Sequence, residues 1–518
     1  MNIRRRFAVL AAGCVVLGSA QAVSVNARGQ GQVLIYPYYN VAAGNTTLVT
    51  LTNHSAQAKA ILLRVADGEN GRSAASINVY LSPGDSWTAT LFDRGGSEAP
   101  GLLTQDSSCT FPFDNSLALP QLPDGRRYLP LGFEVDDAGS LGVERLREGY
   151  IEAVEMATIR PDTATFAAIS RNASGARDCG TIAAAWEAHS GYWLAEPLRD
   201  LANPTGGLSG EAAIVNVAAG TIFGAAAIAL EDFRVDPQDQ PRGSSASVAM
   251  NGVFAPGSGS LLVHALSNPQ AGTAIADLIA DGRALKATYP APSRAIDAVS
   301  AVLSAAQLAA AFDTTPALGA TSSFVLTYPT RAFYVDPAVS GQPVALEPFD
   351  ALFAGAVPLQ HSAGRAFQLR NREGMIVSRS VPAEGCSAGC AQSPLLRSTE
   401  TAVEVIAPGG VADVLLDSHL HGDIGASSGS RLPIPQRGSG WLLIDLEQAR
   451  GGGIAPALRA SLEGYRLRGL PVLGTRFISY INAEANPGVL ANYSSAGPMS
   501  SVAHCVNSQN QACAAATP

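Results

Sequence analysis

Short apolar runs separated by turn residues recur along residues 31–92, and this pattern constrains the fold more than any other feature. Val49 and Leu51 alternate with threonines, so one face of their strand can be buried. The dipeptides Asp67-Gly68 and Asn70-Gly71 tolerate the positive φ of tight turns. Runs spaced by roughly ten to fifteen residues are typical of a β-sandwich. The runs are residues 33–36 (ended by Pro37), 47–53, 60–65, 77–81 and 87–92.

The rest of the chain predicts further strands and two helical stretches. The alanine- and leucine-rich residues 295–312 contain no Gly or Pro and indicate a helix, and residues 271–285 are a second candidate. Residues 212–217 and 221–230 indicate a hairpin. No fixed-period repeat is present. Other strands are predicted at residues 150–159, 323–335, 366–370, 401–406, 441–446 and 472–481.

These patterns predict a mainly β fold of Ig-like β-sandwich modules with a few short helices, stabilised by disulfides. The patterns divide the chain into a leader at residues 1–22 and a first Ig-like β-sandwich at residues 23–140. A second β-rich region follows at residues 141–260, and a C-terminal β-rich region with short helices at residues 261–518.

The N-terminus has the pattern of a secretory signal peptide. A positive segment precedes an apolar run at residues 7–17, and Ala20-x-Ala22 fits a cleavage site. Two other leader types remain alternatives. One is a twin-arginine signal, although Ile3 stands where such a signal has Ser or Thr before the arginines. The other is a lipobox at residues 11–14, which would make Cys14 the lipidated N-terminus. The positive segment consists of Arg4, Arg5 and Arg6.

The cysteine count predicts disulfides. The chain has seven cysteines, and removal of Cys14 with the leader leaves six. An even number in an exported chain indicates disulfide pairing, because the periplasm and the cell exterior are oxidising. Zinc ligation is the competing interpretation, but Cys386 and Cys390 have a C-x3-C spacing without a nearby histidine. Sequence proximity favours Cys109–Cys179, Cys386–Cys390 and Cys505–Cys513.

Composition limits the classes of partner. The chain is 47% hydrophobic and 15% charged, so it can bury a substantial core. A net charge of −9 argues against nucleic acid and against an anionic membrane surface as partners. After the leader, no apolar run approaches the ~20 residues of a membrane span. We expect no cofactor and no transmembrane segment in the exported chain.

One motif contains residue types that bind metals. In His419-x-His421-x-Asp423, alternate residues of an extended segment share a face, so two imidazoles and a carboxylate could surround an ion. The motif resembles the first five positions of the metallo-β-lactamase signature, but Ile424 replaces the next histidine. The alternative is that a strand at residues 414–420 ends in a polar, glycine-rich loop.

Residues 425–429 formally match the G-x-S-x-G motif of serine hydrolases. A nucleophile elbow requires a helix immediately after the serine. Pro433 and Pro435 oppose that helix, so a flexible loop is the favoured interpretation.

Aromatic residues near Cys179 form another candidate binding site. Exposed aromatics on a β-sandwich can stack on sugar rings or bind in a protein interface. The alternative is that they belong to the core, as most aromatic side chains do. The residues are Trp186, Tyr192 and Trp193.

Several segments resemble a set of exported proteobacterial proteins for which no activity is known. The first segments, residues 31–39, 48–53 and 80–88, also resemble Ig-like envelope modules such as periplasmic chaperone domains in their pattern. The resemblance covers most of the exported chain and implies that residues 31–500 fold as one interdependent assembly. It implies no activity. The other segments are residues 104–109, 147–152, 204–208, 326–336 and 469–474.

Together these features predict an exported, non-enzymatic envelope or surface protein that acts by binding, assembly or adhesion. Its expected location is the periplasm, the outer surface or the exterior. Its expected partner is an envelope or surface protein, or a glycan. The alternatives are a metal-dependent hydrolase that uses His419, His421 and Asp423, and a carbohydrate-binding protein.

Overall fold

The computed structural model describes thirteen stretches of the chain, and strands dominate them. The mainly β fold class with short helices is confirmed. The described residues are 22–114, 119–132, 137–185, 191–196, 198–233, 260–268, 271–355, 366–379, 399–406, 416–423, 438–447, 455–482 and 491–514.

Residues up to 233 contain fourteen strands, a 3-10 helix (η) and three short helices. They are β1 (Ser24–Val25), β2 (Val33–Asn40), β3 (Thr46–Asn53), β4 (Ala58–Asp67), β5 (Ser73–Leu81), β6 (Ser86–Phe92), β7 (Gly101–Leu103), β8 (Thr110–Phe111), β9 (Leu129–Pro130), η1 (Val143–Leu146), β10 (Glu148–Ile159), α1 (Ala164–Ile169), α2 (Cys179–Ala185), α3 (Tyr192–Ala195), β11 (Leu201–Ala202), β12 (Leu208–Asn216), β13 (Thr221–Ala226) and β14 (Ile228–Glu231).

The later residues contain further strands with short helical turns between them. They are η2 (Leu261–His264), β15 (Thr273–Ala280), β16 (Arg283–Pro290), α4 (Ala295–Val302), β17 (Ser304–Ala305), β18 (Gln307–Asp313), η3 (Pro316–Leu318), β19 (Ala320–Thr327), α5 (Ala332–Val335), α6 (Pro337–Ser340), β20 (Ala366–Asn371), β21 (Ile376–Arg379), β22 (Thr401–Ile406), β23 (His421–Asp423), β24 (Ser439–Asp445), β25 (Arg466–Arg468), β26 (Leu470–Pro471), β27 (Leu473–Tyr480), β28 (Tyr493–Pro498), β29 (Ser500–Val502) and β30 (His504–Val506).

The first sandwich consists of two sheets. The central sheet has the order β1-β14-β2-β10-β4-β5-β8, with β11 paired to β10, and the second sheet has the order β13-β12-β3-β6-β7-β9. Side chains from both sheets form the core between them, including Leu51, Ile77 and Trp87. Strands on both sides of residue 140 belong to these sheets, so the boundary placed there in the sequence lies inside one sandwich.

The central sheet is buried on both faces. Every residue of β4, β5 and β10 is buried, whereas β3 and β6 alternate between buried and exposed positions. The face of the central sheet that points away from the second sheet packs against short helices and the β15–β16 hairpin. This second contact explains why residues 60–65 form a continuous apolar run instead of a period-two pattern.

The C-terminal half contains two further sheets of five strands each. Their orders are β21-β20-β24-β18-β29 and β23-β22-β19-β27-β28. Phe324 and Leu326 of β19 face the larger hydrophobic core. Val325 faces the opposite way and packs with Tyr38, Phe223 and Phe477, so this sheet contacts the first sandwich directly.

Pro37 does not end the first strand, contrary to the sequence-based expectation, because β2 continues to Asn40. The pairing of β2 with β10 shifts register between Gly149 and Ile151, opposite Pro37. Pairing with β14 involves only residues 33–35 of β2. A proline is tolerated where the ladder does not require its missing N–H.

Two helix predictions were wrong in whole or in part. Helix α4 ends at Val302, and residues 307–313 instead form β18, which pairs with both β24 and β29. Backbone pairing with two neighbours outweighs the helix propensity of alanine, which is a weak preference. Residues 271–285 form most of a hairpin, in which Asp281 and Gly282 both have positive φ, as a two-residue turn requires.

The strand predicted at residues 323–335 ends early. Strand β19 stops at Thr327, Pro329 follows, and α5 occupies Ala332–Val335. Among the helices that the structure describes, none has the length and apolar character needed to cross a bilayer. The predicted leader lies almost entirely outside the described residues.

Candidate functional site

His419 of the His-x-His-x-Asp motif lies where the C-terminal half contacts the first sandwich. Its Nδ1 atom lies 2.6 Å from a carboxylate oxygen of Glu148, and its Nε2 atom lies 3.4 Å from a carboxylate oxygen of Glu69. Glu148 begins β10, and Glu69 lies in the turn between β4 and β5. Both glutamates are buried, so His419 joins two carboxylates that belong to the first sandwich.

Three further groups donate hydrogen bonds to the Glu148 carboxylate. They are the hydroxyl of Tyr38 at 2.7 Å, the hydroxyl of Ser418 at 2.6 Å and the N–H of Leu420 at 3.3 Å. A buried carboxylate needs such donors because burial removes its water. One side chain of the central sheet therefore holds residues 418–420 in place. We call Glu69, Glu148 and His419 the junction triad.

Protonation within the junction triad follows from these contacts. Burial alone would raise the pKa of Glu148, but the hydrogen bonds and charge of His419, together with Ser418 and Tyr38, lower it below its usual value. The pKa of Glu69 is also lowered, since the hydrogen bonds from His419 and Ser140 outweigh burial. Burial opposes the charge on His419, but the two carboxylates raise its pKa to about 9. His419 is therefore an imidazolium at neutral pH.

Gly149 places Glu148 at this point of the sheet. Strand β10 approaches β4 so closely that a Cβ on residue 149 would lie 2.0 Å from the carbonyl oxygen of Ala66. The N–H of Gly68 donates to the carbonyl oxygen of Glu148 on the same edge. The register shift beside Gly149 is a bulge, which redirects the side chains next to it.

Arg145 extends the network of buried charges beyond the junction triad. Its guanidinium lies 2.9 Å from Asp67 and 2.7 Å from Asp137, and its side chain is fully buried. The hydrogen bonds and charge of Arg145 lower the pKa of Asp137 to about 2, although burial opposes this shift. Arg145 also lies 3.7 Å from Glu69, which connects the two groups of charges.

A cavity of about 240 Å³ borders this network. Asn70, Asp137, Asp336 and Phe353 contribute to its wall. The amide nitrogen of Asn70 donates to Asp137 at 3.1 Å and to Asp336 at 2.8 Å. Arg72 lies 2.6 Å from Asp336. The polar groups at this wall therefore bind one another.

Glu400 is a second buried carboxyl group at the same junction. Burial raises its pKa to about 8, although the charges of Arg331 and Arg64 oppose the shift. Its backbone N–H donates to the carbonyl oxygen of Glu69 at 2.9 Å, and its carbonyl oxygen accepts from Tyr328 at 2.7 Å. Glu400 is therefore protonated at neutral pH and lies within the contact between the two halves.

Both ring nitrogens of His419 face carboxylate oxygens, Nδ1 that of Glu148 and Nε2, at the longer distance, that of Glu69. His421 and Asp423 lie in the short strand β23, and their side chains are outside the described residues. Within the described stretches, the one group of converging metal-ligand atoms is Cys109, Cys179 and Asp114, and its two cysteines form a disulfide. The G-x-S-x-G match at 425–429 is outside the described residues.

Of the two described aromatic candidates, Trp193 is buried and Tyr192 is partly buried against the same core. Trp193 has 0% exposure and stacks on Tyr80 with ring centroids 5.9 Å apart. The guanidinium of Arg199 lies 4.7 Å from the ring centroid of Tyr192. A sugar platform that uses Trp193 is inconsistent with this burial, because a stacking face must be open to solvent. Trp186 lies outside the described residues.

Two disulfides are present, and both are pairings that sequence proximity favours. Cys109–Cys179 joins β8 to α2 across 70 residues, and Cys505–Cys513 closes a loop of 8 residues. Cys109 and Trp193 belong to the same hydrophobic core, and Cys179 packs against it. Cys386 and Cys390 are outside the described residues.

An exposed sheet surface is a feature that the sequence analysis did not single out. The second sheet of the first sandwich presents its outward-pointing side chains to solvent, and Leu48 and Ile222 are 41% and 56% exposed. We call this surface the outer face. Glu211 is the one charged residue among its members. They are Thr46, Leu48, Thr50, Thr52, Ser86, Thr88, Thr90, Phe92, Ser209, Glu211, Ala213, Val215, Ile222, Gly224 and Ala226.

The outer face was visible in the sequence as the threonine alternation of residues 46–52. The alternation predicted that Val49 and Leu51 are buried, but it gave no indication of what the opposite, threonine-rich face does. Glu148 carried a weaker signal, as a charged residue at the start of an apolar run. Its partner His419 could not be assigned because no local pattern connects the two segments.

No protein-family model, curated protein or solved structure matches this chain.

Proposed function

We propose that this chain is an exported envelope or surface protein that acts by assembly, and that its outer face binds a second copy of itself. The observation that carries the proposal is the nearly uncharged outer face. A surface designed for solubility carries charged residues at ~25–35% of its positions, whereas Glu211 is the one charged residue among the fifteen members of this face.

Export is supported by the two disulfides and by the leader pattern. Disulfides persist in oxidising compartments such as the periplasm and the cell exterior. The leader contains a positive segment, an apolar run and small residues at positions 20 and 22. These features favour a periplasmic or surface location.

The choice of a second copy follows from the size and chemistry of the outer face. Four strands spaced by ~4.8 Å and seven residues long at ~3.3 Å each give a flat area of roughly 450 Å². Two such faces together bury roughly 900 Å² of flat area, and the projecting side chains add to this value. The sum is close to the ~1,000 Å² of buried surface that a biological interface requires. A two-fold axis pairs the same patch on both copies, so the two Glu211 side chains are the only charges that such a contact brings in from this face.

Sedimentation velocity of the purified, disulfide-bonded protein tests this proposal. We expect a concentration-dependent dimer for the wild type and a monomer for the Leu48→Lys/Thr88→Lys double variant. Each lysine occurs twice in a symmetric interface, and burying an unpaired charge is costly. Ile279→Lys is the matched control, since Ile279 is 72% exposed and lies on β15.

The control variant should form the dimer as the wild type does. A wild-type protein that remains monomeric at about 100 µM, well above the Kd of a stable pair, would contradict the proposal. A double variant that dimerises like the wild type would show that another surface makes the contact.

A further inference from the structure

Strands β13 and β28 border one cleft at the contact between the two halves. Within the stretches that the structure describes, β13 ends its sheet and pairs with β12 alone, and β28 ends its sheet and pairs with β27 alone. Ile222 of β13 donates its N–H to the hydroxyl of Ser494 in β28 at 2.9 Å, and this hydroxyl donates to the Ile222 carbonyl oxygen. A side chain thus occupies the place of a backbone partner.

Beyond Ile222, the two edges border a cavity of about 400 Å³. Residues 224–226 of β13 line one side, and residues 496–498 of β28 line the other. The wall also contains Leu308, Val472 and Met499, which are each less than one-tenth exposed. None of the described residues of the lining has a charged side chain.

The backbone groups of Gly224 and Ala226 point toward this cavity. In an antiparallel ladder, alternate residues direct both their N–H and their C=O to the same edge. Ile222 directs both groups to Ser494, so Gly224 and Ala226 face the same way. The N–H of Ala227 donates to Gly210 on the opposite edge, which agrees with this alternation.

The same reasoning applies to β28. The N–H of Met499 donates to the carbonyl oxygen of Gly474, so Met499 faces β27. Ala496 directs its N–H and C=O, and Pro498 its C=O, away from β27, because both lie at odd offsets from Met499. Among the described residues, no backbone hydrogen bond joins β13 to β28. The edge of β13 therefore presents backbone groups to the cleft, and residues 496–498 of β28 border it.

We infer that this cleft binds an extended, uncharged peptide strand of a partner chain by β-strand addition. Main-chain hydrogen bonds to an exposed sheet edge supply the affinity in this mode, and pockets for alternate side chains supply the specificity. Amide groups of the peptide satisfy Gly224 and Ala226, and apolar side chains pack against Leu308, Val472 and Met499. An acyl chain would leave the edge amides unsatisfied.

The cleft adjoins the outer face, since Gly224 and Ala226 belong to both, but Leu48 and Thr88 lie on β3 and β6, which do not contribute to the described lining of the cleft. The Leu48→Lys/Thr88→Lys double variant should therefore bind the peptide as the wild type does. Loss of the dimer and loss of peptide binding are consequently distinguishable outcomes.

Fluorescence polarisation with a defined peptide tests the inference on the full, disulfide-bonded protein. The probe is a fluorescein-labelled, C-terminally amidated hexapeptide of alternating valine and serine. Its control has the same side chains but N-methyl groups on alternate amides, which removes the donors of one edge. We expect saturable binding of the first peptide and at least tenfold weaker binding of the second.

Substitution of Gly224 provides the matched pair of variants. A Cβ at Gly224 meets no atom within 4 Å, so both substitutions have space. Gly224→Pro removes the N–H that faces the cleft, and proline is tolerated on an edge strand. Gly224→Ala keeps the N–H. We expect at least tenfold weaker binding for Gly224→Pro and an unchanged Kd for Gly224→Ala.

Three results would overturn the inference. They are the absence of saturable binding at millimolar peptide, equal affinity for the N-methylated peptide, and displacement of the peptide by a fluorescent fatty acid, which would assign the cleft to acyl chains. If Gly224→Pro fails to fold, the comparison of the two peptides on the wild-type protein decides the matter alone.

Discussion

The Nδ1 atom of His419 lies 2.6 Å from the carboxylate of Glu148, and this ion pair joins the C-terminal half to the first sandwich. Glu148 is fully buried, and the imidazole of His419 is about one-quarter exposed. The same carboxylate accepts from Ser418 and Leu420, so one buried side chain organises residues 418–420. The contact between the halves therefore depends on charge as well as on apolar packing.

Replacing His419 by alanine should destabilise the protein. The change leaves the Glu148 carboxylate buried without its cation, and losing one partner of a buried pair costs ~3–5 kcal/mol. The partial exposure of His419 places the expected loss near the lower end, at about 3 kcal/mol. Urea unfolding measures this loss. The control is His504→Ala, which breaks a more exposed pair with Glu447 and should cost at most ~1 kcal/mol. Equal losses for the two variants would contradict the role of the junction triad.

Stability should fall as the pH rises above neutrality. Folding raises the pKa of Glu400 from 4.5 to about 8 and that of His419 from 6.5 to about 9. A group whose pKa is raised by folding stabilises below its unfolded value, and this contribution is lost as the pH passes the folded value. Both contributions therefore decline between pH 6.5 and pH 8.

The thermal midpoint measured from pH 5 to pH 9 checks this prediction. In Glu400→Gln the thermal midpoint should fall less steeply between pH 5 and pH 8, because glutamine does not titrate and the contribution of Glu400 is absent. Glu69 and Glu148 have lowered pKa values and lose their contribution only on the acidic side. A midpoint that rises from pH 6.5 to pH 8 would contradict the protonation states assigned here.

The two disulfides should differ in their contribution to stability. Cys109–Cys179 spans 70 residues and Cys505–Cys513 spans 8. On the chain-entropy relation, the longer loop is stabilised by ~4 kcal/mol and the shorter by ~2.5 kcal/mol. Denaturant unfolding of the Cys109→Ser/Cys179→Ser and Cys505→Ser/Cys513→Ser variants compares them. A larger loss from the shorter loop would show that loop entropy does not govern the difference.

Trp193→Ala should act on stability. The indole is fully buried, stacks on Tyr80 and donates to the carbonyl oxygen of Arg199 at 3.0 Å. Truncating such a side chain costs ~3–5 kcal/mol. The control is Tyr493→Ala, because Tyr493 is 68% exposed and its loss should change the unfolding midpoint little. Unchanged stability of Trp193→Ala, together with lost binding to a glycan array, would restore the sugar-platform interpretation.

Local patterns predicted the strands of the first sandwich because alternation and turn residues are encoded within a few positions. Residues 47–53 and 87–92 are strands with the expected faces. Local patterns failed where distant segments decide the structure. The alanines of residues 309–311 form a strand because β24 and β29 pair with β18 on both edges. The Asp281-Gly282 turn lies inside the segment 271–285 that was predicted to be a helix.

The candidate sites were predicted less well than the fold. The motif around His419 drew attention to its metal-binding residue types, but the partners Glu69 and Glu148 come from the first sandwich. No spacing rule connects segments so far apart. The cleft between β13 and β28 depends on two sheet edges meeting in space, which a single sequence does not encode in any local pattern.

The intact mass of the protein recovered from the cells that naturally express it, measured after thiol alkylation without reduction, tests the account most directly. We expect a chain that begins at Val23, the residue after the Ala20-x-Ala22 site, with its disulfide-bonded cysteines unmodified. A full-length chain with an intact leader, or alkylation of Cys109 and Cys179, would contradict an exported, disulfide-bonded protein.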